Sequence, residues 1–505
     1  MGSYSSKQPV KSKVKDIKNS EMSEKVIIGQ EIANNFDLSS ELRGLQLDTI
    51  DNDKINDINP ISLDVLDSWE QEFVSDDKNL LAQQALGTSE IVKIVANKKA
   101  IKSDQYLFNT TVDIIGADTF YNNQKSSGRC WIFATANVLR SHVIKSYNLD
   151  ADKFQLSQSY LFFYDKLEKA NLFLENVIAT ADLEIDDLYL MHIFKEPLSD
   201  GGQWDMMVNL LNKYGAVPVE HFPDNAQATS SSKLNYILFE KLREYGLILR
   251  KLIKTDPKSV KLVKHSMVKQ IYQIISLALG TPPKPNTKFT WEFIDKDKKY
   301  KYFETTPLRF YKDHIKFVAQ DHFSLIHDPR NKFDHLYTVD KLNNIYGGKP
   351  IEYVNLDLPE IKQVAIKMLK ANEPIFFGSD VGKFNDSKTG ILDTQAYDYK
   401  LAFNTDFKIS KAERLRTGSS QMTHAMVITG VHLDPKGNPV RWKIQNSWGE
   451  EVGEKGTFMM TDSWFDEYVF QIVTNKNFVS KKVYDIFKGK DYTVFPIYDP
   501  MGSLA

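Results

Sequence analysis

The chain has one cysteine, Cys130, in 505 residues. No intramolecular disulfide is available to it, and secreted chains of this size ordinarily carry disulfides, so a reducing compartment is expected. It also lacks an excess of charge: 64 Lys and Arg face 66 Asp and Glu, for a formal net charge of −2. So small a charge excludes a global field toward nucleic acid or membrane and leaves only local patches. No apolar run approaches the ~20 residues of a bilayer span, and the polar stretch from Met1 to Lys18 has no apolar core of a secretory leader. A cytoplasmic location is therefore expected. Metal-ligand spacings such as His-Glu-x-x-His are missing among the 10 histidines, and no phosphate-cradling glycine loop is evident, so neither metal nor cofactor is expected.

What is present begins with a polar extension over residues 1–60. Met1-Gly2 followed by Ser6 fits an N-myristoylation pattern, with Lys7, Lys11, Lys13, Lys15 and Lys18 close behind. An acyl chain on Gly2 plus that basic cluster would hold a membrane. Without it no membrane contact is expected, and the segment is a plain Ser/Lys tail. Beyond it, Leu63, Leu66, Trp69 and Phe73 fall at helical spacing. Residues 130–144 contain no Gly or Pro and are apolar on one face, which predicts a helix opening at Cys130 after the turn Ser126-Ser127-Gly128. Further helices are expected over 157–167, over 203–214 up to Gly215, and over 358–371. Two long helices within 232–280 would be divided at Thr255-Asp256-Pro257. From Met426 onward the pattern turns to strands, over 426–431, 440–444 and 456–460. Helices first and strands later predict an α+β fold with separated halves.

Cys130 is either a small buried hydrophobe or a nucleophile. Its place at the start of a helix, behind a glycine turn, favours a thiolate, which attacks carbonyl carbon well. His424 opens an apolar run, and Asn446 opens an Asn-Ser-Trp-Gly turn with Gly453 and Gly456 behind it. Taken singly, each has an ordinary structural reading.

Taken together, Gln124-Lys-Ser-Ser-Gly-Arg-Cys130-Trp131, Thr423-His424-Ala-Met-Val427 and Asn446-Ser-Trp-Gly449 resemble three segments of the papain-like cysteine peptidases, in the same order. The resemblance implies a helical half carrying Cys130 and a β-barrel-like half carrying His424 and Asn446. Cys130 would be the nucleophile, and His424 would pair with its thiolate and serve as base and acid. Asn446 would hold the imidazole under the shield of Trp448. The Gln124 side chain and the Cys130 N–H would form the oxyanion hole. Gly201 and Gly202 resemble paired glycines that bind substrate backbone, although a turn with a helix cap is an equal local reading. Ser127 replaces the disulfide cysteine of secreted members, and Val452 replaces a second Trp.

Cys130 and His424 lie 294 residues apart, which leaves room for a large, mostly helical insertion. That spacing, the run Leu81-Ala-Gln-Gln-Ala-Leu86 and the ending Phe495-Pro-Ile-Tyr-Asp-Pro-Met-Gly-Ser-Leu-Ala505 resemble the bleomycin hydrolase family, from about residue 60 onward. The implied organisation is a helical half over 61–230, an insertion over 231–350, a β-rich half over 351–490 and a C-terminal arm over 491–505. The implied activity is removal of amino-terminal residues from peptides with free amino termini, with Ala505 at the end of an arm lying in the cleft. Bleomycin and homocysteine thiolactone would follow the same acyl-enzyme route. The resemblance also implies a homohexamer and non-specific nucleic-acid binding. Lys258, Lys261, Lys264 and Lys269, on one broad helix face, are the candidates for that binding, against the plain reading of a solvated face. The alternatives are an endopeptidase, if the arm is mobile, and a nucleic-acid-binding protein.

Overall fold

A computed structural model describes residues 61–103, 106–112 and 122–504; Gly2 and Ala505 lie outside the described residues. Contacts divide the chain into two units, residues 1–80 and 81–505. In the first, Ser62 caps the helix Leu63–Val74: its Oγ accepts from the Val65 N–H at 3.3 Å and satisfies one of the helix's unpaired donors. Leu63, Leu66, Trp69 and Phe73 lie on this helix and are exposed.

The second unit is an α+β structure. Its principal helices are α1 (Cys130–Tyr147), α2 (Gln158–Ala179), α3 (Trp204–Tyr214), α4 (Ser232–Thr255), α5 (Val260–Leu279) and α6 (Leu358–Lys370). Helix α1 ends where Asn148 takes a left-handed conformation and donates its N–H to Ile144 O. Helices α4 and α5 are separated at Asp256 and Pro257, as the proline requires, with a short 3-10 turn leading into α5.

The strands in chain order are β1 (Thr110–Thr111), β2 (Phe289–Ile294), β3 (Tyr300–Thr305), β4 (His322–Ile326), β5 (His335–Val339), β6 (Tyr353–Asn355), β7 (Ile375–Ser379), β8 (Asn385–Asp386), β9 (Ile391–Leu392), β10 (His424–Leu433), β11 (Pro439–Gln445), β12 (Thr457–Thr461), β13 (Val469–Asn475) and β14 (Tyr492–Phe495). Strands β2 and β3 form a separate hairpin; the others join one sheet in the order β14-β5-β6-β4-β13-β7-β10-β11-β12-β9-β8, with β1 on β10. The sheet divides two cores. Along β10, Ala425 and Val427 pack into the core shared with α1, α2 and α3, while Met426 and Ile428 pack into the core on the far side with α6. This alternation is the period of a strand buried on both faces.

Two features differ from the expectation of helices followed by strands. Strands β4 and β5, which precede residue 350, belong to the same sheet as β10 and β13. Short helices, Asp462–Tyr468 and Lys481–Gly489, interrupt the later β region. The cause is non-local pairing. Phe323 finds its register partner at Thr474, a relation no local pattern encodes.

Candidate active site

Helix α1 starts at Cys130, so the thiol sits at the end where backbone N–H groups have no partner within the helix. The backbone N–H groups of Ala425, Trp131 and Cys130 itself favour the charged form of the Sγ. Ala425 is the second residue of β10, and His424 is the first. His424 Nε2 lies 2.8 Å from Asn446 Oδ1. A carboxamide oxygen only accepts, so the ring carries its proton on Nε2 and keeps Nδ1 as a base. Trp448 lies over the imidazole, with ring centroids 4.9 Å apart, and Phe458 meets Trp448 edge-on at 5.7 Å. Asn446 is itself fixed: its N–H donates to Gly456 O at 3.2 Å, and its Oδ1 also accepts from the Ser447 N–H at 2.8 Å.

Gln124 reaches the same place by backbone pairing. Its N–H donates to Ser447 O at 2.8 Å, the Gly449 N–H donates to Asn122 O at 3.0 Å, and Asn123 bridges to Trp448. Gly449 has φ +91°, and a Cβ there would lie 2.5 Å from Asn123 Nδ2, so only glycine permits this crossing. The Gln124 amide is oriented at both ends. Its Oε1 accepts from Ser447 Oγ at 2.6 Å, and its Nε2 donates to Ser127 O at 2.7 Å. One of the two amide hydrogens is thereby used, and an amide NH₂ has a second to give. Ser447 was not singled out from the sequence; its place between Asn446 and Trp448 was the only signal.

Gly202 lies against helix α1. A Cβ on Gly202 would come within 2.4 Å of the Trp131 ring, so the strip of backbone and the indole are in direct contact. Lys169 Nζ donates to Gly201 O at 2.6 Å and to Ser199 O at 2.9 Å, which fixes the strip from behind.

Residues 60–502 match the model of the peptidase C1-like family. The chain belongs to that family. Among its relatives, Cysteine proteinase 1, mitochondrial, from Saccharomyces cerevisiae is 40% identical over 88% of this chain and 93% of its own. Bleomycin hydrolase from Rattus norvegicus is 39% identical over 86% and 97%, and Aminopeptidase C from Streptococcus thermophilus is 37% identical over 88% and 99%. The crystal structure of PepW from Lactobacillus rhamnosis superposes with a TM-score of 0.85 at 40% identity, covering 88% of this chain and all of that one. This peptidase C1-like chain is therefore an enzyme, a cysteine peptidase with the α+β fold of its class.

In this peptidase C1-like site, burial dominates the electrostatics. Burial pushes the Cys130 thiol up to about 11, against the three backbone N–H bonds; the Asp200 carboxylate pushes the same way as burial. Burial also takes the His424 imidazole down to about 4, with the Asn446 bond opposing. The helix end favours the thiolate, and burial works against it.

The C-terminal segment runs from β14, which pairs in parallel with β5, to the active-site region. Phe495 stacks on Tyr337 at 4.7 Å, and Asp499 accepts from Arg330 Nη2 at 2.9 Å. Ser503 Oγ donates to Met422 O at 2.7 Å, and Gln203 Nε2 donates to Ser503 O at 2.9 Å. Ser503 therefore stands between the residue after Gly201-Gly202 and a residue two before His424. A cavity of about 440 Å³ lies along this segment, lined by Lys169, Phe173, Gln421, Ile497, Ser503 and Leu504 among others. Lys258, Lys261 and Lys269 are exposed. Lys264 is half-buried and ion-paired with Glu175, so the lysines do not form one uniform free face. Among the described residues no helix is long and apolar enough to cross a membrane.

Proposed function

We propose that the chain is a cytoplasmic cysteine aminopeptidase in which Cys130, His424, Asn446 and Gln124 carry the chemistry. The Cys130 thiol passes its proton to His424 Nδ1 as the sulfur attacks the carbonyl carbon of the first peptide bond. Negative charge then grows on the carbonyl oxygen, where the Gln124 amide and the Cys130 N–H meet it. His424 returns the proton to the leaving amine and next activates the water that releases the acyl group from Cys130. Asn446 keeps the imidazole in the useful tautomer, and Trp448 keeps water off that hydrogen bond. Gly201 and Gly202 offer backbone to the substrate chain.

The observation that carries the aminopeptidase reading is the seat of Ser503 between Gln203 and Met422. An arm fixed there would occupy the cleft and restrict it to amino-terminal residues. Relatives named Aminopeptidase C and Bleomycin hydrolase support the same selectivity, and bleomycin and homocysteine thiolactone are candidate substrates by the same route. The lone thiol supports the cytoplasmic assignment, although one relative is named mitochondrial. The test is a pair of fluorogenic amides, one with a free amino terminus and one acetylated. Cleavage of the free form alone, abolished in Cys130→Ala, is expected. Equal cleavage of both would make the enzyme an endopeptidase.

Exposed Ile237, Leu262 and Leu277 on α4 and α5 support self-association, and we read the assembly as a homohexamer, to be checked by sedimentation. Exposed Lys258, Lys261 and Lys269 support a non-specific nucleic-acid role; its binding should weaken steeply with salt.

A further inference from the structure

Asp200 lies between the nucleophile's loop and the glycine strip, and the reaction steps above give it no part. It is buried at 9% exposure, and all three of its oxygens are engaged. Oδ2 accepts from the Gly128 N–H at 3.3 Å and from Ser231 Oγ at 2.5 Å. Oδ1 accepts from Lys166 Nζ at 2.5 Å, and the backbone oxygen accepts from Trp131 Nε1 at 2.8 Å. Asp200 thus grips the chain on both sides of Cys130.

The position of Gly128 gives this grip its consequence. Gly128 follows Ser127, whose carbonyl holds Gln124 Nε2. A Cβ on Gly128 would come within 2.8 Å of Asp200 Cβ, so the turn is seated directly on this side chain. Burial would raise the Asp200 carboxyl, but the Lys166 ammonium beside it overcomes that and holds the group well below the usual carboxylate range. Lys166 is fully buried and donates also to Asn235 Oδ1 at 2.5 Å. A buried ion pair is a poor device for stability, because desolvation offsets most of its attraction. Here the pair sets the geometry of a loop that contains both oxyanion donors.

We propose that Asp200 is a positioning residue for the oxyanion hole: its carboxylate seats the Gly128 turn so that the Gln124 amide and the Cys130 N–H converge on one point. The proposal rests on the reading of Cys130 as nucleophile and Gln124 as oxyanion donor. Asp200 then acts in two opposed senses. Seating the turn speeds acylation, whereas its negative charge near Sγ disfavours the thiolate. A loss of general stability has no such double signature.

The experiment compares wild type, Asp200→Asn, Gln124→Ala and the double variant, with Cys130→Ala as control. Two rates are measured: kcat and KM on an aminoacyl fluorogenic amide, and alkylation of Cys130 by iodoacetamide across pH, which uses no oxyanion hole. Asp200→Asn should lower kcat about 10- to 100-fold, a fraction of or comparable to the loss of one oxyanion donor, with KM within about threefold. Alkylation should be no slower, and its pH profile should move to lower pH as the charge is removed. In the Gln124→Ala background, Asp200→Asn should cost less than about threefold more, because without the Gln124 amide there is no second donor for the turn to bring together with the Cys130 N–H. Equal fold-losses in both backgrounds, or a parallel fall of kcat and alkylation, would overturn the proposal. If Asp200→Asn does not fold, Ser231→Ala, which keeps both charges and releases one bond to Oδ2, must show a fall in kcat without a fall in alkylation, or the proposal fails. Full activity in Gln124→Ala or Cys130→Ala would instead remove the underlying reading of the site.

Discussion

Ser447→Ala removes a single hydroxyl and tests whether the orientation of Gln124 matters to catalysis. Ser447 is buried, and its Oγ donates to Gln124 Oε1 at 2.6 Å. Without it the buried amide oxygen loses this donor, at a cost of about 1–3 kcal/mol in stability. The amide also loses the contact that distinguishes its two ends. A flipped amide would place Oε1 against Ser127 O and toward the developing oxyanion, and both contacts are repulsive. Complete loss of an oxyanion donor lowers kcat about 10²–10³-fold, which bounds the effect from above. Since the Nε2 bond to Ser127 O remains, we expect kcat to fall about 10- to 30-fold, or about 1.4–2 kcal/mol of barrier, with KM little changed. The assay is steady-state hydrolysis of an aminoacyl fluorogenic amide beside a thermal melt. A kcat within twofold of wild type, together with a lowered Tm, would refute the link between Ser447 and the oxyanion hole and leave Ser447 a packing residue.

Three further outcomes follow from the structure. Arg129 is fully buried and donates paired 2.8 Å bonds to Asp224; Asp224→Ala should destabilise the fold by about 3–5 kcal/mol in urea titrations, because the buried guanidinium loses its partner. His424 is held in the fold down to about 4, below its ordinary value of 6.5. It therefore contributes stability that is present above pH 6.5 and lost as pH falls toward 4, on the order of 3 kcal/mol. Melts of wild type and His424→Gln should converge over that window, and a pH-independent difference would contradict it. Arg330→Ala frees Asp499 from its 2.9 Å contact; cleavage of an acetylated substrate should rise relative to the free one, and an unchanged ratio would show that Arg330 does not hold the arm.

The sequence exposed those features whose cause is local. Helices α4 and α5 and the break at Pro257 were legible because 3.6-residue periodicity and proline act within a few residues of themselves. The segments at Cys130, His424 and Asn446 were legible because each bears a demanding residue type in a short fixed context. Ser447, Asp200 and the Gln203–Ser503 bond were not, since each acts on a group far away in the chain; Gln203 and Ser503 are 300 residues apart. The burial of Cys130 and His424 was also hidden, because it follows from how completely the surrounding layers cover them. Strands β4 and β5 could not be assigned to the main sheet until their partners were known.

The crossing of residues 122–124 with 447–449 has a consequence for how the protein is made. His424 leaves the ribosome 294 residues after Cys130, which is about 15–60 s at ordinary rates of synthesis. During that interval the nascent chain bears a thiol with no imidazole beside it and a Gln124 with no Ser447 to orient it. On the proposed mechanism a half-made copy would not cut its neighbours, and a truncated product ending before Asn446 would lack a complete site. On that mechanism, the long separation that obscures the site in the sequence would also place a delay between making the protease and arming it.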